Sequence, residues 1–500
     1  KGAAAKKRSA LPPKIKEKQV AFLNVEKNLT MLTDFYEFTM ANGYYQKGLG
    51  DTIAYFDMFY RNVPDNAGYA IMAGVEQLVE YLSNLRFTQS DLDYLRGKGC
   101  FCEEFLDYLA HFEFACDVWC VEEGMPIFPG EPIVVVRGPV AQAQFIETML
   151  LLSINHQSLI ATKANRMVRA AEGRTVLEFG SRRAQGADGA VLGARAAYIG
   201  GCAGTACVMT DRDYGVPAAG TMAHSWVQMF DCEYDAFRAY AEVYPSDCTL
   251  LIDTYSVMKH GLPDAIRVAK EVLEPMGHRL KGVRIDSGDI AYVSKRIREK
   301  LDEAGLTDCK IVVSNSMDEF LIRDLILQGA CIDTFGIGER LITSRSSPIF
   351  GGVYKLAAIE RDGQIIPKIK ISENVEKITT PHFKQVWRFY DNETGLASAD
   401  VVALHDEPIP QNEPYTIFDP VYTWKKKTLT NYTAVPLLKP LFQGGRCLYQ
   451  PKPIGQIRDF CRQQVGLLWP EVTRFENPHT YIVDLSPKLW KIKQDLLERY

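Results

Sequence analysis

TLLIDTYS (249–256), GVRIDSGD (282–289), KIVVSNS (310–316) and IDTFGIGE (332–339) repeat one design: a short apolar run ends in a cluster of small polar, acidic or glycine residues. Helix-like stretches at 263–277 and 289–304 separate the first three, and a third at 317–329 precedes the last. Apolar strands alternating with helices predict parallel pairing, because a parallel crossover needs roughly a dozen residues or more, usually a helix. The four polar clusters then meet at the carboxyl edge of one sheet, the edge on which α/β barrels assemble their chemistry.

Outward from that core, RTVLEFGS (174–181) and VPAAGTMAHS (216–225) read as two further strands, which makes about six at barrel-like spacing. Residues 139–171 have few breakers and read as one or two helices leading into this region. Upstream, a helix follows residue 30 with Thr33 or Asp34 as its N-cap, and TIAYFDMFYRNVP reads as a strand. Helical patterns then cover 74–85 and 91–113, and 117–136 reads as strand, turn, strand. Downstream, a hairpin is predicted around Arg361-Asp362-Gly363, 400–450 holds short strands, and helices return at 455–465 and 485–500. The expected organisation is a basic, disordered tail (1–25), an N-terminal α+β part (26–150), an α/β barrel (151–350) and a C-terminal segment (351–500). The scarcity of acids and the Lys, Arg and Ala content of the tail also fit a transit peptide, whereas the apolar stretch of a secretory signal is missing.

The 500 residues are 47% apolar and carry a formal net charge of −5, which offers no global attraction to nucleic acid or acidic membranes. No apolar run approaches the roughly 20 residues that span a bilayer. The twelve cysteines form no CxxC and no Cys/His zinc spacing, so they read as free thiols of a reducing cytoplasm.

Chemistry concentrates at the strand ends. Asp253 and Asp286 each follow apolar strand residues, where a carboxylate needs a cation, a hydroxyl or an arginine as partner. Arg284 lies two residues before Asp286 and so on the same strand face, an arrangement suited to a carboxylate or phosphate. Asp289, just ahead of a helix, reads as its N-cap. His224, flanked by Thr221 and Ser225, is either a structural hydrogen-bonder or a nucleophile or acid/base group. Phe179 with Arg182 and Arg183 fits a flat anionic ligand, or else a salt-bridged surface turn. Gly336, Gly338, Gly351 and Gly352 allow close backbone approach to phosphate, although glycines after a strand are also ordinary turn residues. Neither a Walker A sequence nor GxGxxG occurs.

Taken in order, LTDFYEFTMANGYY, EFGSRRAQG, GTMAHS, DTYS, GVRIDSGD, FGIGE and GGVYKL resemble the nicotinate phosphoribosyltransferase family in its bacterial type, over about residues 30–360. The resemblance implies a type II phosphoribosyltransferase fold: an irregular α/β barrel and a second α+β domain formed from both ends of the chain. It implies condensation of nicotinate with phosphoribosyl pyrophosphate to nicotinate mononucleotide and diphosphate, the salvage route to NAD. ATP hydrolysis is then coupled through a phosphohistidine at His224, with Mg²⁺ on the diphosphate. Asp286 and Asp253 become the catalytic carboxylates, and Tyr36, Phe179, Arg182, Thr221 and Arg284 the nicotinate-binding set. Gly336, Gly338, Gly351 and Gly352 hold phosphate oxygens, and Lys163 and Arg166 add positive charge. Tyr36 is expected from the partner of a homodimer with shared sites, and the enzyme is expected in the cytoplasm. The chain departs from several relatives at Glu339-Arg340, where they have GIGT; an acid there repels phosphate unless it turns away or pairs with Arg340 or Mg²⁺. The competing readings are a nicotinamide or quinolinate phosphoribosyltransferase, a metal-dependent barrel hydrolase using Asp253, Asp286 and His224, and a non-catalytic binding protein.

Overall fold

The computed structural model describes residues 28–500, so the basic tail expected at 1–25 lies outside the described residues. The decisive repeats form one parallel six-stranded sheet. Its order is Gly204–Thr205, Thr175–Glu178, Thr334–Ile337, Lys310–Asn315, Gly282–Ile285 and Thr249–Leu251. Burial along these strands alternates. Val283, Ile285, Ile311, Val313, Phe335 and Ile337 are fully buried on the helix-covered face, each worth roughly 1.5–3 kcal/mol of burial. Arg284, Asp286, Val312 and Thr334 point the other way and are half-buried. That period of two puts the polar groups of neighbouring strands on one inner surface.

The helices Ile290–Glu303 and Glu319–Leu327 supply crossovers, and both begin at aspartates. Asp289 caps the first by accepting from the Tyr292 amide at 2.9 Å, as its position predicts. The first predicted stretch, 263–277, is helix Leu262–Val268, flanked by π-helical turns at Val257–Gly261 and Ala269–Leu273.

One expectation fails. The sixth strand is Gly204–Thr205, and 216–225 is not a strand: it makes a single bridge, Ala218 to Thr205, and His224 begins the short helix His224–Gln228. Pro217 has no amide to donate to a ladder, and Gly220 has no side chain to pack. The segment instead runs as irregular backbone, held to the sheet by backbone hydrogen bonds to Thr205 and by the Arg284 side chain.

A seven-stranded antiparallel sheet draws on both ends of the chain. The central strand Ile53–Tyr60 pairs with Gly352–Arg361 on one side and Val134–Pro139 on the other, and Lys439–Gln443 joins through Asp117–Cys120. The hairpin from Gly352–Arg361 to Gln364–Pro367 turns on Asp362 (φ 52°) and Gly363 (φ 72°), the left-handed pair that a two-residue hairpin requires. Helix Glu147–Ala170, about 36 Å long at 1.5 Å per residue, runs between the two sheets' regions and packs on helix Gly186–Ile199. One continuous apolar core joins both sheets.

Candidate active site

At the carboxyl edge of the parallel sheet the strand ends interlock. Asp253 accepts the Asp286 amide and the Ser287 hydroxyl on Oδ2, both at 2.7 Å, while its Oδ1 is buried without a hydrogen-bond partner. Ser314 accepts from Arg284 Nε and donates to Asp286 Oδ1, each at 2.8 Å. Arg284 Nη1 donates to Thr221 Oγ1 at 3.0 Å and to the Met222 carbonyl at 3.2 Å. Asp286 Oδ2 lies 4.0 Å from two nitrogen atoms, Arg284 Nη2 and His224 Nε2. His224 Nδ1 lies 3.1 Å from the Thr254 hydroxyl. Burial pulls the Arg284 guanidinium below its ordinary pKa, the carboxylates of Asp286 and Asp253 oppose that, and nearby Arg182 reinforces it. A carboxylate, an arginine and a histidine thus share one small region with hydrogen-bonding capacity to spare, which is how sites for anions are built.

Phe179 forms the adjacent wall. Its ring centroid is 5.9 Å from the Arg284 guanidinium carbon, and a Cβ on Gly336 would stand 2.5 Å from the ring. Glycine at 336 is therefore demanded by the phenylalanine. Glu178 anchors this turn by accepting the Thr205 hydroxyl at 2.6 Å and the Gly180 amide; burial pushes its carboxyl up, and those two donors oppose the rise. Gly338 sits at the mouth of the short helix Glu339–Ile342. Gly351 is exposed with open space around it, whereas a Cβ on Gly352 would collide with the Asn155 carboxamide.

Other expected residues separate from this cluster. Arg182 is exposed beside it. Tyr36 lies on helix Phe35–Gln46, which packs chiefly on helix Val140–Phe145, and its ring is 43% exposed. Burial, then Glu147, raises its phenol pKa. Lys163 and Arg166 do not offer spare charge. Lys163 Nζ bonds Asp65 at 2.9 Å, Ser346 at 2.8 Å and Glu319, and Arg166 Nε donates to Glu319 at 2.8 Å; Lys163, Arg166 and Glu319 are buried. Glu339 pairs with neither Arg340 nor the site: Arg345 Nη1 donates to it at 2.8 Å, and Arg340 pairs with Asp318.

Ser314 and Thr254 were missed. Both stand in the quoted motifs, and Ser314 shares the face of Val312, which pairs with Arg284; strand parity was the available signal. Among the described residues no group of three or more His, Cys, Asp or Glu side chains could hold a metal ion, and no helix is long and apolar enough to cross a membrane.

A parallel α/β edge furnished with two carboxylates, an arginine, an aromatic wall and a histidine is the equipment of an enzyme that transfers groups to or from anionic substrates. Three sequence-family models match this chain: the nicotinate phosphoribosyltransferase N-terminal domain (31–155), the nicotinate phosphoribosyltransferase family (175–389) and its C-terminal domain (383–493). Nicotinate phosphoribosyltransferase of Bacillus subtilis is 43% identical over 468 residues, covering 93% of this chain and 94% of its own. The Homo sapiens enzyme is 32% identical, covering 93% and 96%. The crystal structure of human nicotinic acid phosphoribosyltransferase superposes with a TM-score of 0.83 at 30% identity, over 93% of this chain and 99% of that one. Nicotinate-nucleotide pyrophosphorylase from Pyrococcus furiosus, at 22% identity and a TM-score of 0.68 over 89% and 97%, shares the fold. The chain belongs to the nicotinate phosphoribosyltransferase family. Its α/β architecture is the type II phosphoribosyltransferase fold, and its general activity is nicotinate phosphoribosyl transfer in NAD salvage.

Proposed function

We propose that the sheet edge around Arg284 and Asp286 condenses nicotinate with phosphoribosyl pyrophosphate, and that ATP drives the reaction through phosphorylation of His224. The observation that carries this reading is the continuous chain Thr254, His224, Asp286, Ser314, Arg284, Thr221, which joins a nucleophile, a carboxylate and an anion-binding arginine. Nicotinate would lie against Phe179 with its carboxylate toward Arg284, Thr221 and Arg182. The pyridine nitrogen attacks the anomeric carbon, the new C–N bond forms, and the bond to diphosphate breaks. Carboxylates at Asp286 and Asp253 would stabilise the positive charge that develops on the ribose.

In the tautomer this reading requires, His224 Nδ1–H donates to the Thr254 hydroxyl 3.1 Å away, which leaves the Nε2 lone pair as nucleophile. Attack on the terminal phosphorus of ATP forms an N–P bond and releases ADP, and Asp286 stabilises the imidazolium. Mg²⁺ fits the donor set, because it is commonly held by one or two carboxylates together with substrate phosphates. Asp253, whose Oδ1 is unpartnered, and Asp286 would hold it, and it would neutralise diphosphate charge. Backbone at Gly336, Gly338 and Gly351 would approach phosphate oxygens.

Tyr36 would complete the pocket from a second copy of the chain. The exposed apolar side chains of Phe35 and Met40 on its helix, with Leu32 just ahead of it, support a homodimer. Twelve unpaired cysteines support a reducing, cytoplasmic setting. The test is incubation with γ-labelled ATP. Acid-labile, base-stable label on the wild type and none on His224→Ala is expected, and label that persists in the variant overturns the phosphohistidine.

A further inference from the structure

A cavity of about 260 Å³ lies between the strand Ile53–Tyr60, the 129–132 turn, the strands Ala397–Leu404 and Val483–Leu485, and the helix Pro487–Arg499. None of its lining residues belongs to the parallel-sheet edge. Its volume is under the roughly 300–1,000 Å³ typical of sites for drug-sized ligands, so an occupant would be small.

The polar groups facing it do not balance. Asp57, in the middle of a buried strand, pairs with Lys384 at 2.6 Å, both side chains being nearly inaccessible. Lys384 has no capacity left, because Nζ also donates to the carbonyls of Thr380, Pro381 and His382 at 2.8, 3.1 and 2.6 Å. Asp57 has capacity left: its Oδ1 is buried with no hydrogen-bond partner. Lys493 enters from the C-terminal helix. Its ammonium donates to Thr380 Oγ1 at 3.3 Å, and among the described residues no carboxylate lies within ion-pair distance of it. Burial, then the neighbouring Lys384 charge, lowers its pKa to about 8, so it remains largely protonated at neutral pH. Two ammonium groups and the Arg61 guanidinium therefore line a half-open cavity together with one carboxylate, Asp57. A half-buried ammonium with a hydroxyl but no carboxylate beside it is suited to pairing with an anionic oxygen.

We propose that this cavity binds a small oxyanion that also carries one O–H donor, hydrogen phosphate being the simplest. Anionic oxygens accept from Lys493 Nζ and the Thr380 hydroxyl, and the O–H donates to Asp57 Oδ1. A single ligand thereby neutralises the surplus charge and satisfies the orphan acceptor. The site is separate from phosphoribosyl transfer, so its failure would leave the reading of the sheet edge untouched.

The test is equilibrium dialysis with radiolabelled inorganic phosphate on the full-length wild type, Lys493→Met and Val483→Phe, which fills the cavity from a partly exposed wall. Folding is checked by circular dichroism, and nicotinate turnover is measured in parallel. The expected result is loss of one phosphate site, at least a tenfold weakening, in both cavity variants, with turnover retained and the same site still present in Arg284→Ala. Sulfate, which has no proton to donate at neutral pH, is expected to compete at least tenfold less well than unlabelled phosphate. Wild-type phosphate binding in whichever cavity variant folds overturns the proposal, and equal competition by sulfate overturns the role of Asp57.

Discussion

Two charged clusters of the same architecture are built differently. Around Glu319, Lys163 and Arg166 are matched at 2.8–3.0 Å and sealed from solvent, and every cation has a carboxylate. At the sheet edge, Asp286 meets His224 and Arg284 only at 4.0 Å, remains about one-third exposed, and lies next to an Asp253 oxygen with no partner. Close, buried ion pairing holds helix Glu147–Ala170 against helix Glu319–Leu327, even though Glu319 Oε2 accepts no hydrogen bond. Looser pairing at the sheet edge leaves electrostatic capacity for a substrate. Charge alone does not mark a site, whereas charge held in place at partial exposure and beyond contact distance does.

The sharpest way to break this contrast is Glu319→Ala, which leaves buried Arg166 without its carboxylate and Lys163 with Asp65 alone. Breaking a buried pair costs about 3–5 kcal/mol. A large fall in Tm is expected by calorimetry, with KM for nicotinate unchanged in the fraction that folds. Asp286→Ala should do the reverse: kcat falls by about 10²–10³-fold, as for loss of one preorganised electrostatic group, with little change in Tm. Phe179→Ala removes a ring contact worth about 1 kcal/mol, so KM for nicotinate should rise by about fivefold with kcat less affected.

A further effect is one of pH. Burial, then Asp264 and Asp253, pushes the Glu233 carboxyl up from the ordinary carboxyl range to about 7. A carboxyl whose folded pKa is raised contributes stability that is complete below its unfolded pKa and lost as pH rises through the folded one. Wild-type Tm should therefore decline between about pH 4.5 and 7 more steeply than that of Glu233→Gln.

Which parts were legible in sequence follows from the range of the interactions. The period of two that placed Arg284 with Asp286, and the aspartate ahead of an apolar helix that marked Asp289 as a cap, are local patterns and survive intact. Lys163 and Arg166 look available in a helix because their neutralising partners, Asp65 and Glu319, are 98 and 156 residues from Lys163 and leave no local trace. Residues 216–225 carried strand-like apolar residues, yet Pro217 and Gly220 limit pairing to one bridge. Glu339 looked hostile to phosphate until Arg345, six residues on, was found to engage it.

The central claim is that Arg284, held open by Ser314 and Thr221, reads a substrate carboxylate. The most direct measurement is kcat/KM for nicotinate and for nicotinamide, with phosphoribosyl pyrophosphate and ATP, in the wild type and Arg284→Ala. A strong wild-type preference for nicotinate that collapses in Arg284→Ala at unchanged Tm is predicted. Equal use of the two pyridines by the wild type, or a preference that survives in Arg284→Ala, would contradict it.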